Sequence, residues 1–273
     1  MEQKYTLGVI GGGVMAQAIV KDAITTRFLL PCQISVSEPN ADKRVILTEM
    51  GVHLSENNRS LSQQCRYLLL AVKPQVFSCV AQELCDLNLP VMISIMAGIS
   101  KEKILFSLRS TNSHASRSLN VARVMPNLAC SLGAGMSAID ASTLSEDDKK
   151  FVFSLFSSAG IAAEVQEDQL AAVTGISGSG PAYVFLFIKS LIDAGIKHGL
   201  SKEESEIFVL QTLKGSLKMA ENSELSLNEL ISAVSSKGGT TVAALDSFRK
   251  DEFQDIVERA VAAAVKRAKE LSQ

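Results

Sequence analysis

The chain has no tryptophan and only three tyrosines, so it offers few stacking platforms for nucleic-acid bases. It also lacks an excess of either charge. Lys and Arg number 27 against 29 Asp and Glu, a formal charge of −2. That balance gives no general electrostatic attraction for nucleic acid or an anionic membrane. The five cysteines cannot all pair within one chain, and none stands in a CxxC pair. With three scattered histidines there is no zinc-site spacing, so no metal is expected. A reducing, cytoplasmic compartment fits this cysteine usage. No continuous apolar run reaches the roughly 18 residues of a membrane span, so no membrane segment is expected. Met1-Glu2-Gln3-Lys4 leads straight into a strand-like segment, which does not look like a signal peptide.

What is present is the material of a globular fold. Of 273 residues, 47% are apolar and 21% charged, which excludes global disorder. The length suits two domains. The first two-thirds alternates short apolar runs with helix-like stretches. Tyr5–Ile10, Ile34–Ser37, Tyr67–Val72, Val91–Ile95, Leu119–Met125, Gly133–Ile139 and Ile161–Val165 read as strands. Such runs, separated by helices, predict a doubly wound parallel sheet covered on both faces. Ser145 opens a helix with a pattern close to a capping box, its reciprocal position filled by Asp148.

From about residue 166 the pattern becomes helical. Pro181 suits a first helical turn, and the apolar stretch after it has to be buried, against the chain itself or a second copy. Ser201 with Glu204 and Ser226 with Glu229 are capping boxes. From Phe253 to Leu271 apolar residues recur at three and four, which predicts a core-facing helix. The expected division is residues 1–165 and 166–273.

The chemistry starts at Gly11, Gly13 and Ala16, a G-x-G-x-x-A turn between a strand and a helix. Gly11 permits the tight turn, Gly13 lets a pyrophosphate approach the helix N-terminus, and Ala16 permits close helix–strand packing. This predicts a dinucleotide. Glu38, after the second strand, suits the ribose hydroxyls of NAD, whereas nearby Lys43 and Arg44 suit the extra phosphate of NADP. The sequence leaves that choice open. Lys73, in Ala71-Val72-Lys73-Pro74, ends the most apolar strand, where an open sheet faces its ligand. Two further clusters, Thr174–Pro181 and Ser235–Thr241, combine glycines with hydroxyls just before helices. Each suits a small anion or a close backbone contact. His53, His114 and His198 show no triad spacing and are not expected to act as catalysts.

Together these segments resemble the pyrroline-5-carboxylate reductase family over essentially the whole chain. The resemblance rests on GGGVMA at 11–16, AVKP at 71–74, SIMAG at 94–98, RVMPN at 123–127, TGISGSGPAYVF at 174–185 and SSKGGTTVAAL at 235–245. It implies an α/β protein with an N-terminal Rossmann-type domain and an all-helical C-terminal dimerisation domain. It implies hydride transfer from NADPH, with NADH as the alternative, to the C=N bond of 1-pyrroline-5-carboxylate, giving L-proline. It also implies a homodimer, with further assembly to a decamer.

By the same resemblance Gly11, Gly13, Val14 and Met15 would hold the pyrophosphate. Ser37 and Asn40 would lie near the adenosine ribose or its phosphate, Asn58 would contact the nicotinamide-side ribose, and Ala71, Lys73 and Pro74 would line the cofactor site. Ser236, Gly238, Gly239, Thr240 and Thr241 would bind the substrate carboxylate, with Thr241 orienting the ring. The chain departs from the family pattern at Val14, Leu128-Ala129 and Lys237. These changes remove polar groups or a proline near the expected site. Two other classes remain open: a hydroxyacid dehydrogenase on a similar scaffold, and a dinucleotide-binding regulator without turnover.

Overall fold

The computed structural model describes residues 3–108 and 120–272. Met1, Glu2, His114 and Leu119, all named above, lie outside the described residues. Two compact units are present. One takes in the chain through Ser179 together with the end of the last helix from Ala264, and the other is Gly180–Ala263.

The first unit is built on an eight-stranded sheet. Its strands are β1 (Tyr5–Ile10), β2 (Ile34–Ser37), β3 (His53–Leu54), β4 (Cys65–Leu70), β5 (Val91–Ser94), β6 (Val121–Pro126), β7 (Gly135–Asp140) and β8 (Gly160–Glu164). Their order is β3-β2-β1-β4-β5-β6-β7-β8. The chain reverses direction in space between β1 and β4, the switch point at which open α/β sheets bind ligands. One pairing departs from the expected all-parallel sheet: β6 and β7 are antiparallel. A short 3-10 segment, Leu128–Leu132, joins them, and only antiparallel neighbours can be joined without a long crossover. β3 has two residues, too few to show a period in the sequence.

Strand alternation supplies a core on each face. Tyr67 and Leu69 of β4 join Leu7, Val9 and Val36 on one side. There they pack with Ile19 and Val20 of α1 (Val14–Thr25) and Val152, Leu155 and Phe156 of α6 (Glu146–Ser157). Leu68 and Leu70 point the other way with Ile10 and Met92. They meet Phe77, Val80 and Leu84 of α4 (Phe77–Leu84) and Ile104 of α5 (Lys101–Ser107). The Ser145 side chain caps α6 by accepting from the Asp148 amide. Tyr67 stacks on Phe151 with ring centroids 3.7 Å apart, and its hydroxyl donates to Asp148 at 2.9 Å. Burial, followed by that bond, pushes the Tyr67 phenol up to about 12.

An ion pair is buried beside this sheet. Lys101 Nζ lies 2.6 Å from Asp140 Oδ2, both side chains almost closed to solvent. Lys101 also donates to Ser142 Oγ, and its amide donates to Glu167, which pairs with Arg123 at 2.9 Å. Burial alone would raise the Asp140 carboxyl, but the bonds from Lys101 and Ser142 outweigh it and hold the group below its usual range.

The glycine cluster at 174–180 does not stand before a helix as an open N-terminus but lies within a helical run. Thr174–Gly178 forms a single π-helical turn that continues α7 (Leu170–Val173) towards α8 (Gly180–Lys197). A β-carbon on Gly178 would come within 2.6 Å of the Met125 side-chain terminus, so this turn packs closely on β6. The helical run Glu167–Lys197 is long and apolar enough to cross a membrane by length and composition alone. The sequence does not suggest this, because the glycines, serines and charges interrupt its apolar residues. A helix that packs against other helices passes the same test.

The second unit contains α8, α9 (Lys202–Asn222), α10 (Leu227–Ala233), α11 (Thr240–Lys250) and the start of α12 (Phe253–Ser272). Both capping boxes form as expected, at Ser201–Glu204 and Ser226–Glu229. The expected burial does not occur within one chain. Phe185, Leu186, Ile207 and Phe208 are 55–66% exposed, and the stripe of α12 is open at Ile256 and Val257. Periodicity shows which face is apolar, but not which molecule covers it.

Candidate active site

The switch point of the sheet opens into a cavity of about 550 Å³. Gly11 sits at φ +96°, and a β-carbon there would lie 2.8 Å from the Ala71 carbonyl. That crowding, with the left-handed backbone, accounts for glycine. Its amide donates to Ser37 O at 2.9 Å, and the Ala71 amide donates to Ile10 O at 2.9 Å. The ends of β1, β2 and β4 are thereby tied together at the cavity floor.

Gly13 differs. A β-carbon there would meet no protein atom within 4 Å, so the chain's own packing does not require glycine. Gly13 faces the cavity and is the N-cap of the twelve-residue α1, which has no side-chain cap. A β-carbon would instead fill the space in front of open helix amides. Those amides and the helix dipole suit a pyrophosphate, and the residues present fit a dinucleotide.

Of the ten residues expected around a cofactor, Gly11, Gly13, Ser37, Asn58, Ala71 and Lys73 line this cavity. The other four do not. Val14 is 67% exposed, so its lost polar group leaves no buried partner unmet. Met15 packs against the core. The Asn40 side chain caps α2 (Ala41–Glu49) by accepting from the Lys43 amide at 3.0 Å. Pro74 starts a 3-10 turn.

The cavity also uses residues that the sequence did not single out. Val72, Val76, Cys79 and Val80 give it an apolar wall, and Glu56, Asn57 and Glu83 line it too. Asn58 Nδ2 donates to Glu83 Oε2 at 2.9 Å, joining α3 (Asn58–Gln64) to α4. Arg59 strengthens that link through Asp86, at 2.6 and 2.9 Å. Only the apolar spacing of α4 foreshadows this wall.

The serine–glycine–threonine turn belongs to the second unit, between α10 and α11. Gly238 takes φ +71°, and the Gly239 amide donates to Ser236 O at 2.9 Å. A β-carbon on Gly239 would fall 2.5 Å from Ser236 Oγ, so only glycine closes the turn this tightly. Thr240 and Thr241 begin α11, whose N-cap Gly239 brings no side chain. Ser236, Gly238, Gly239, Thr240 and Thr241 are therefore gathered at one helix N-terminus. Lys237, where the family has proline, is exposed on this turn. Of the histidines, His53 meets Ser35 Oγ at 3.1 Å and Tyr5 at the sheet edge, and His198 ends up beyond α8.

Known proteins resemble this chain over its whole length. The chain is 38% identical to pyrroline-5-carboxylate reductase of Synechocystis over 98% of both chains. The chain belongs to the pyrroline-5-carboxylate reductase family. The model for that family's dimerisation domain matches residues 167–271. A model described as NADP oxidoreductase, coenzyme F420-dependent, matches residues 6–98. Among solved structures, the Plasmodium falciparum pyrroline carboxylate reductase with NADP bound superposes with a TM-score of 0.86 at 31% identity, covering all of both chains. The Coxiella burnetii pyrroline-5-carboxylate reductase gives 0.87 at 33% identity over 99% of both.

Proposed function

We propose that this chain reduces the C=N bond of 1-pyrroline-5-carboxylate to give L-proline, using NADPH, as a homodimer. The observation that carries this reading is likeness to the reductases over the whole chain, together with a glycine turn at the switch point that is open to a ligand. In this reading residues 1–165 hold the cofactor and residues 166–273 hold the substrate and the second subunit. The span of the dimerisation model, 167–271, supports that division. Further assembly of dimers to a decamer and a cytoplasmic location belong to the same proposal.

The bound nicotinamide supplies the hydride, and the chain supplies position and exclusion of water. Gly11 and Gly13 would present the N-terminus of α1 to the pyrophosphate, with Val14 and Met15 contributing only main chain to that helix start. Ser37 would lie by the adenosine ribose, and Asn40 would act only by capping α2 beside it. Asn58, Ala71 and Lys73 would line the nicotinamide side, where the apolar wall of Val72, Val76 and Val80 would keep water away. Ser236, Gly238, Gly239, Thr240 and Thr241 hold the substrate carboxylate at the positive end of α11. A cyclic imine protonated on nitrogen is already electrophilic, so orientation is the main requirement. That explains why no histidine or cysteine needs to act as acid or base. Thr241 orients the ring through its hydroxyl.

The first test follows the loss of NADPH absorbance with 1-pyrroline-5-carboxylate and identifies the product. Substrate-dependent oxidation yielding proline supports the reading. Folded, dimeric protein that oxidises no NADPH or NADH with this substrate refutes it. Thr241→Ala is expected to raise the substrate KM about tenfold, the worth of one good hydrogen bond, with Thr241→Ser retaining most of it. Unchanged KM and kcat in Thr241→Ala would remove that residue from the mechanism.

A further inference from the structure

Glu38 stands where dinucleotide folds that read an unphosphorylated ribose carry their acidic acceptor. In this chain the acid lines the cavity, but both of its carboxylate oxygens already accept from main-chain amides. It is 6% exposed. Oε2 accepts from the Gly12 amide at 2.6 Å, and Oε1 accepts from the Asn40 amide at 2.8 Å. One amide comes from the glycine turn and the other from the β2–α2 loop, so the carboxylate staples the two loops together. Glycine at position 12 fits the same arrangement, because a β-carbon there would crowd Glu38 Cγ at 3.1 Å.

Glu38 also gathers two cations. Lys43 Nζ lies 3.9 Å from Oε2, and Arg44 Nη1 donates to the Glu38 carbonyl at 3.1 Å. Ser37, Lys43 and Arg44 all line the cavity. Arg44 is anchored through one nitrogen, and a guanidinium carries five donors in a fixed fork that matches a phosphate. Two amides and Lys43 offset the negative charge of Glu38, which reduces its repulsion of a second anion.

We propose that Glu38 is a positioning residue and not a ribose acceptor, and that Lys43 and Arg44 recognise the 2′-phosphate of NADPH. This resolves towards NADPH the choice that the sequence leaves open. The inference rests on the cofactor reading given above and names the specificity of that same cavity.

The test compares two probes that differ only in the 2′-phosphate: adenosine 2′,5′-bisphosphate and adenosine 5′-monophosphate. Calorimetry on the intact oligomer measures binding of each. The unaltered protein is expected to bind the bisphosphate at least about tenfold more tightly, the effect of a charge-assisted contact. Arg44→Ala should abolish most of that ratio, with the monophosphate affinity changed less than about twofold. In turnover it should raise the NADPH KM and leave kcat alone. Glu38→Gln should weaken the bisphosphate, because Lys43 loses its ion pair and the Gly12 and Asn40 amides lose a charged acceptor, while the Arg44 bond to the main-chain carbonyl stays. If Glu38 instead accepts a ribose hydroxyl, Glu38→Gln will weaken NADH binding and strengthen NADPH binding, which would overturn the proposal. Equal affinity of the unaltered protein for the two probes overturns it without any variant. The cofactor reading fails separately, if the unaltered protein binds neither NADPH nor NADH and oxidises neither.

Discussion

The two units of this chain use their apolar residues in opposite ways. In the sheet unit Leu7, Val9, Leu68, Leu69, Leu70, Met92 and Phe156 are closed to solvent, at 0% exposure. In the helical unit Phe185, Leu186, Ile207, Phe208 and Leu217 stay 55–66% exposed, and Ser205 is its most buried residue at 1%. A sheet covered on both faces completes its own core. Helices that leave such a face open carry half of one. Each fully buried Leu, Ile or Phe side chain is worth about 1.5–3 kcal/mol relative to exposure. Five such side chains therefore represent a large free energy that only a partner can realise, and the match to a dimerisation domain names a second copy.

The sharpest way to break that contrast is to charge the open face. Phe185→Asp combined with Phe208→Asp is expected to abolish the dimer and to lower NADPH oxidation by at least about a hundredfold, because association would have to bury two unpaired charges per chain. Sedimentation measures the first and initial rates the second. Far-ultraviolet circular dichroism should still show folded helices. An active dimer in this variant would mean that the face is covered by something else.

The second effect belongs to the sheet unit, where a charged pair is enclosed by one chain alone. Removing one partner, in Asp140→Asn, should cost about 3–5 kcal/mol in chemical unfolding. Replacing both, in Lys101→Met with Asp140→Leu, should recover most of that loss. The pH dependence has a definite sign. Folding holds the Asp140 carboxyl below its usual range, so the folded state favours the ionised form. Its contribution is complete above the usual carboxylate pKa and is lost as pH falls through the lower folded value. Asp140→Asn should therefore flatten the acid limb of the stability profile. An unchanged limb would mean that the pair does not form.

Legibility in the sequence follows the same divide between local and distant causes. β1 and β2 run over the residues expected, Tyr5–Ile10 and Ile34–Ser37, because alternation and the following turn are local. So are the caps at Ser145, Ser201 and Ser226. Gly11 is legible too, since a tight turn after a strand needs it. The antiparallel β7 is not, because pairing direction depends on where the connection runs. The π turn at Thr174–Gly178 is hidden, since Gly178 packs against Met125, far away in sequence. Glu38 shows the limit within the site. Its position suggests a ribose acceptor, and only the folded chain brings the Gly12 amide to its carboxylate.

The smallest effect compares the same device in both units. Ser145 and Ser201 each accept an N3 amide at a helix start, at 3.3 and 3.2 Å. Alanine at either position should cost about 1 kcal/mol per chain. The way the loss appears should differ. Ser145→Ala weakens a helix whose packing is complete within one chain, so its unfolding shift should not depend on protein concentration. Ser201→Ala weakens a helix that faces a second copy, and each dimer contains two of them. Its cost should appear as weaker association, about 2 kcal/mol per dimer, and should grow on dilution. Identical concentration dependence for the two variants would mean that the helical unit folds as independently as the sheet unit does.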